Sequence, residues 1–196
     1  MQVDASKAGA TDAGRWMRNM KFQFRKVTPS DLNKFPLWYK RIDGPELFSN
    51  FIPTTFKTFE DSSVMLWFII MDGEDEIGTI WFQKKNPDKP EIDLGIYLNR
   101  TDLFGKGIGR TLIKYSIKTF ISKNDAEELY LDVRKENIRA IRCYEKSGFK
   151  AIQEGEKTTS YGIIEFLRMK YFERYLYSNK PVHLTPKAGA FSEGDG

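Results

Sequence analysis

Residues 131–149 read LDVRKENIRAIRCYEKSGF, and this stretch decides the fold more than any other part of the chain. It leaves a strand, and Asn137 then has a side chain suited to begin a helix. Gly148 is typical of a helix end, so the pattern predicts a short helix over 137–147. Four residues recur at the spacing of one helical face: Asn137, Ala140, Ile141 and Tyr144. Taken alone, Asn137 could be a mere cap and Tyr144 a core aromatic.

A glycine-rich turn precedes this stretch, with the sequence Gly105-Lys106-Gly107-Ile108-Gly109-Arg110. It joins a strand to an amphipathic helix that runs from residue 108 to about residue 123. Glycine permits positive φ and a close approach of the backbone to a ligand. The start of a helix adds free N–H groups and the positive end of its dipole. The turn therefore suits a pyrophosphate, although it could also be a tight turn that needs glycine for geometry alone.

Two better-known phosphate motifs do not fit this turn. A Walker loop needs Ser or Thr after Gly-Lys, and no Gly-Lys in the chain is followed by either. The dinucleotide fingerprint Gly-x-Gly-x-x-Gly would need a glycine where Arg110 stands. Both of these nucleotide-binding classes are therefore disfavoured.

The rest of the chain alternates strand and helix signals. Thr28 can cap a helix, and residues 44–60 are aromatic and broken by proline, which predicts short helices or a loop. A run of strands followed by strand–helix–strand crossovers predicts an α/β (α+β) fold, with a mixed, mostly antiparallel central sheet and helices on both faces. The strand signals cover residues 22–27, 64–71, 77–83, 92–98, 129–133, 149–152 and 161–171.

Composition narrows the functional classes. The chain is 40% hydrophobic and 30% charged, and its net charge of +4 is too weak to indicate a nucleic-acid protein. One cysteine, Cys143, and one histidine, His183, exclude an intramolecular disulfide and an ordinary zinc site. A Ser–His–Asp hydrolase would have to rely on His183. The longest apolar run is too short to span a membrane. We expect no metal and no membrane or nucleic-acid partner.

The two ends of the chain lack periodicity. We expect residues 1–19 to be a flexible arm or expression leader and residues 178–196 to be a flexible polar tail. Residues 20–177 would then form the folded domain of a cytoplasmic protein, as a monomer or homodimer.

The two motifs, in this order, resemble those of the GNAT superfamily of N-acetyltransferases, over roughly residues 22–171. The second is similar to that of aminoglycoside N-acetyltransferases, and the first to that of ribosomal-protein N-terminal and polyamine acetyltransferases. Phe104 stands where the commonest first motif has Gln or Arg. The resemblance implies that acetyl-CoA lies between two splayed strands and that Asn137 bonds its pantetheine region. It also implies further binding positions: Ile96, Tyr97 and Leu98 for the pantetheine arm, and Phe104, Gly105, Lys106, Gly107, Ile108, Gly109 and Arg110 for the pyrophosphate.

The implied reaction sets two chemical demands. An alkylammonium with a pKa near 10.4 is roughly 4.6 kcal/mol from its neutral form at pH 7, so a general base is useful. Asp93 and Asp132 are the candidates, although either could be a solvated strand carboxylate. The leaving thiolate needs a proton, and the phenol of Tyr144 is the best matched donor. The acceptor would be a primary amine of a small molecule or a peptide N-terminus.

Two other functions remain open at this point. A binding module could keep the CoA site without catalysis, and the presence of Tyr144 argues against it. A nucleotide-dependent dehydrogenase would bind NAD instead.

Overall fold

The computed structural model describes residues 22–42, 52–60, 64–120, 128–159 and 162–172. Within these residues the helices are α1 (Lys34–Arg41), α2 (Ile108–Phe120) and α3 (Ile138–Ser147). The strands are β1 (Phe22–Lys26), β2 (Val64–Asp72), β3 (Asp75–Gln83), β4 (Glu91–Leu98), β5 (Glu128–Arg134), β6 (Phe149–Thr159) and β7 (Gly162–Tyr171). The predicted arm and tail, with His183, lie outside the described residues.

The strands form one sheet in the order β1-β2-β3-β4-β5-β7-β6. Strands β1 to β4 are antiparallel neighbours in chain order. Strand β5 lies parallel to β4, because the chain crosses over through α2 before it returns to the sheet. The other pairs are antiparallel, so the predicted mixed, mostly antiparallel sheet is confirmed.

The parallel pair of strands separates along its length. β4 and β5 pair only through Glu91 with Glu128, Ile92 with Leu129, and Asp93 with Tyr130. β4 then continues to Leu98 and β5 to Arg134 without pairing to each other. The sheet therefore has a V-shaped gap in its middle, between two strands that remain bonded to their outer neighbours.

Helices pack on both faces of the sheet, as predicted. On one face α2 buries a stripe of side chains that are at most 5% exposed: Ile108, Leu112, Ile113, Ser116 and Ile117. Fully burying an aliphatic side chain of this size contributes about 1.5–3 kcal/mol, so this stripe fixes the helix against the sheet. On the other face α1 supplies Phe35 and Trp38, which pack against Trp67 and Trp81.

Two predictions are corrected by the structure, and for a third segment one of the two predicted alternatives is found. Strand β6 is longer than residues 149–152 and reaches Thr159, because its polar half pairs with β7 as a hairpin. The segment that begins at Thr28 forms a single 3-10 turn over Pro29–Asp31 before α1 begins at Lys34. Residues 52–60 contain no helix or strand, so of the two predicted alternatives they form a loop, and the residues before them are not described. Among the described helices, none is long and apolar enough to cross a membrane.

Candidate active site

A cleft of about 550 Å³ opens on one side of the V-shaped gap. Its walls are the end of β4, the turn of residues 103–107, the first turn of α2 and the outward face of α3. Five cationic side chains line it, and no carboxylate does so among the described residues. The cations are Lys106, Arg110, Arg139, Arg142 and Lys146. The cleft therefore favours a ligand with several negative charges.

The glycine turn takes the shape that its sequence predicts. Gly105 and Gly107 have φ of 75° and 80°, where any side chain would be strained, although the space around each is open. Thr111 donates the first helical hydrogen bond to Gly107, with N and O 3.1 Å apart. The first turn of α2 lines the cleft, and its N–H groups have no partners within the helix. This arrangement suits an anion. Gly109 has another role, since a Cβ there would lie 3.3 Å from the Cys143 sulfur on α3.

Helix α3 is fixed at both ends. The Asn137 Oδ1 accepts a hydrogen bond from the Ala140 N–H at 3.1 Å, which confirms Asn137 as the N-cap. Gly148 ends the helix with φ of 108°. The cations Arg139, Arg142 and Lys146 follow the spacing i, i+3 and i+7, so they share the face that lines the cleft.

Phe104 and Arg139 connect the turn to α3. The Arg139 guanidinium carbon lies 3.6 Å from the centroid of the Phe104 ring. Burial lowers the pKa of Arg139 from its ordinary value, and neighbouring Cys143 and Tyr144 act in the opposite direction. Phe104 therefore contributes a cation–π contact to the site, at the position where the commonest form of the motif has Gln or Arg.

Tyr144 lies at the junction of two cavities. It is half-buried, and its ring meets Phe149 edge-on, with centroids 6.1 Å apart. It lines the cleft and also a second, smaller cavity of about 80 Å³ between β4 and β5. Burial raises the pKa of Tyr144 well above its ordinary value. The phenol is therefore protonated at every physiological pH.

Charged side chains of both signs meet at the smaller cavity. The Lys85 ammonium lies 2.9 Å from the Asp132 carboxylate and 3.4 Å from the Asp93 carboxylate. Arg168, on β7, contacts Asp93, lies 3.0 Å from Asp132, and reaches Glu91 at 3.4 Å. Both candidate bases are therefore ion-paired twice.

The two carboxylates differ in their surroundings. Asp93 is only 4% exposed, whereas the Asp132 side chain is 31% exposed. Burial alone would raise the pKa of Asp132, but the charges of Lys85 and Arg168 outweigh it, and its net pKa is below the ordinary value. Asp132 is therefore a carboxylate throughout the physiological range.

The remaining wall of the small cavity comes from β3 and the loop of residues 52–60. The Gln83 side chain accepts hydrogen bonds from the backbone and hydroxyl of Thr55, at 3.2 and 3.1 Å, and donates one to Thr54 at 3.1 Å. Trp81 lies flat on β4 at Gly95, where a Cβ would be 2.0 Å from its ring. This wall is therefore held rigidly against the sheet.

The structure brings nearly all the predicted site residues to these two cavities. Ile96 and Leu98 line the cleft, but the Tyr97 side chain is buried in the core on the opposite face, so only its backbone is near the gap. The three cations of α3 were not predicted, although their i, i+3, i+7 spacing was a usable signal. Lys85 and Arg168 were not predicted either, and no local pattern marks them. Among the described residues, no group of three or more His, Cys, Asp or Glu side chains could hold a metal ion.

Known proteins similar to this chain include aminoglycoside-modifying enzymes. The chain is 33% identical over 87 residues to a kanamycin resistance protein of Rhizobium radiobacter, and the aligned region covers 44% of this chain and 77% of that protein. It is also 33% identical over 82 residues to the type 1 aminoglycoside N(6')-acetyltransferase of Klebsiella pneumoniae, and these cover 42% of this chain but only 39% of that enzyme.

A solved aminoglycoside acetyltransferase, in complex with coenzyme A and kanamycin, has a similar fold. The TM-score is 0.60 at 21% identity, over 81% of this chain and 99% of that one. The family model described as "Acetyltransferase (GNAT) domain" matches residues 10–150. The chain therefore belongs to the GNAT acetyltransferases, which confirms the family, the fold and the N-acetyltransferase class that its two motifs predict.

Proposed function

We propose that this chain transfers the acetyl group of acetyl-CoA directly to a primary amine of a small molecule or a peptide N-terminus. The observation that carries this proposal is the position of Tyr144, which lines both the cationic cleft and the smaller cavity. A thioester that enters from the cleft and an amine that enters from the cavity would meet beside one phenol.

The cleft suits the phosphates and the pantetheine arm of acetyl-CoA. Its size lies within the usual range for ligand sites, and five cations with no carboxylate on the described walls match a ligand with several phosphates. The backbone of residues 104–110 and the start of α2 would hold the pyrophosphate. The pantetheine arm would follow β4 from Leu98 towards Ile96, along the strand edge that β5 leaves open. Asn137 would bond the same arm.

The leaving group needs a proton donor, and Tyr144 would supply it. Acetyl-CoA brings an activated acetyl thioester, in which the amine attacks the carbonyl carbon and the carbon–sulfur bond breaks. The raised pKa of Tyr144 keeps its hydroxyl protonated until charge develops on sulfur. Burial also raises the pKa of the Cys143 thiol, so the only cysteine stays neutral and does not compete as a nucleophile. Direct transfer to the amine follows.

Asp93 and Asp132 would manage the proton of the acceptor amine. Both line the small cavity, and each is paired with Lys85 and Arg168. A carboxylate with a lowered pKa is a weak base, so we assign Asp132 to holding the ammonium and passing its proton to solvent through water. Asp93 is more buried than Asp132, so it is the candidate for the carboxylate that contacts the acceptor amine deeper in the cavity.

Aminoglycosides are the first acceptors to test, because two relatives are named for kanamycin resistance and for aminoglycoside acetylation. The experiment measures thiol release from acetyl-CoA with kanamycin, spermidine and a peptide with a free N-terminus, each against a reaction without acceptor. We expect release above background with at least one of them, and a mass increase of one acetyl group in that acceptor. Tight binding of acetyl-CoA without thiol release in the presence of any of these amines would instead indicate a non-catalytic CoA-binding module.

A further inference from the structure

One side chain in the acceptor cavity has the same chemistry as an acceptor. Lys85 follows β3, and its primary ammonium lies between the Asp93 and Asp132 carboxylates, at 3.4 and 2.9 Å. Lys85, both aspartates and Tyr144 all line this cavity. A primary alkylammonium therefore already occupies the space between the two candidate bases.

Lys85 is held less firmly than Arg168, the other cation that pairs with both aspartates. Its side chain is 44% exposed, and its lysine stem carries many rotamers that an ion pair must restrict. The Arg168 side chain is only 15% exposed, contacts three carboxylates, and stacks over the Tyr130 ring at 4.6 Å. Of these two cations, Lys85 is the one that can leave its carboxylates at little cost.

Charge balance requires one cation to leave when another enters. The charged side chains that line the cavity are two cations, Lys85 and Arg134, and two carboxylates, Asp93 and Asp132. Arg168 lies beside them and adds a third cation, and Glu91, which it reaches at 3.4 Å, adds a third carboxylate, so the formal charges balance. An added ammonium would leave this partly buried cluster with an uncompensated positive charge, which is costly. Exchange of one ammonium for another keeps every carboxylate paired.

We propose that Lys85 holds the place of the acceptor in the free protein, and that an ammonium group of the acceptor displaces it from Asp93 and Asp132. This inference rests on the proposed function only in taking the small cavity as the acceptor site. It specifies the acceptor as a cation with a primary ammonium on a flexible or narrow arm, because a lysine stem is what the site now accommodates. Lys85 is then a competitor for the acceptor site and sets its apparent affinity.

The test measures binding and needs no acetyl transfer. The probe is butane-1,4-diamine, titrated by calorimetry into the wild-type protein, Lys85→Met and the matched control Lys84→Met. Lys84 carries the same charge one residue earlier and does not line the cavity. We expect Lys85→Met to bind the diamine about two- to fivefold more tightly, the range that an exposed ion pair contributes. Lys84→Met and Lys85→Arg should bind as the wild type does, and butane-1,4-diol should not bind.

Several results would overturn the proposal. Equal or weaker diamine binding by Lys85→Met would show that Lys85 supports the site or does not compete for it. An equal gain in diamine affinity in Lys84→Met would show that the effect comes from net charge alone. If no variant binds the diamine, the cavity is not a site for an ammonium group. Thermal unfolding checks that each variant is folded, and Lys85→Gln replaces Lys85→Met if the latter is not. Failure of thiol release with displacement intact would contradict the proposed function and leave this inference standing.

Discussion

The cationic cleft and the smaller cavity, the proposed acceptor site, meet at Tyr144 and are built in opposite ways. The cleft is lined by glycine backbone and by charged side chains that are all cationic, and the described residues that form it come mainly from the glycine turn and the two helices α2 and α3. The cavity is lined by side chains of both signs and by a tryptophan, drawn from β3, β4, β5 and a loop. The shape of the cleft depends largely on main-chain geometry, whereas the chemistry of the smaller cavity depends on the identity of the side chains that line it.

This difference explains what each half can recognise. Backbone N–H groups can hold a phosphate in any sequence that forms the turn, so within the turn the proposed coenzyme half depends mainly on its positive-φ glycines. The acceptor half can be altered by single substitutions, such as one at Lys85. The two halves are therefore free to differ in specificity, and experiments can address them separately.

The largest expected effect is at Tyr144, the residue that the two halves share. Tyr144→Phe keeps the ring against Phe149 and removes only the proton donor, so kcat should fall by about 10²–10⁴-fold. The affinity for CoA should stay nearly unchanged. Steady-state kinetics with any competent amine and calorimetry with CoA check this. A loss of activity below about threefold would make Tyr144 a packing residue and would leave water as the proton source.

A smaller effect is expected in the coenzyme half, at Gly107. Gly107→Ala would force alanine into left-handed backbone, at about 1–2 kcal/mol, and should weaken CoA binding by about tenfold as the turn reshapes. Gly73→Ala is the matched control, because its φ is 61° in the β2–β3 turn and its surroundings are equally open. Both variants should lose similar stability in thermal unfolding. If both bind CoA as the wild type does, the turn does not cradle the phosphates.

The smallest effect is expected from titration of the protein's own groups in the proposed acceptor half, where neither Asp132 nor Tyr144 should change its charge. The lowered pKa of Asp132 keeps it ionised, and the raised pKa of Tyr144 keeps it protonated, throughout the neutral and mildly alkaline range. With an alkylamine acceptor whose pKa is near 10.4, kcat/KM should therefore rise about tenfold per pH unit between pH 6 and 9, with the neutral fraction of the amine. Asp132→Asn should lower the curve without changing its shape. An inflection in this range that disappears in Asp132→Asn or Tyr144→Phe would show that the replaced group titrates there.

The sequence predicts the local geometry of the cleft well because its signals are local. The Asn137 cap, the Gly148 helix end and the glycine turn each depend on residues within one turn of structure. The Asp93–Arg168 contact could not be predicted, since these residues are 75 positions apart and meet only through two registers, that of β4 with β5 and that of β5 with β7. The polar half of β6 was missed for another reason. Hydrophobic alternation cannot mark a strand that is held by backbone pairing, and by the ring of Phe166 where it lies on Gly155.

The V-shaped gap between β4 and β5 also bears on aggregation. An unpaired strand edge on the outside of a protein is a template on which other chains can add a strand. Here the two open edges face each other in the interior of the sheet, between strands that are already bonded on their outer sides. A neighbouring molecule cannot bring a whole strand into that space, but a single thin, extended ligand with amide groups can enter it. The same opening that could accept such an arm is thus closed to self-association.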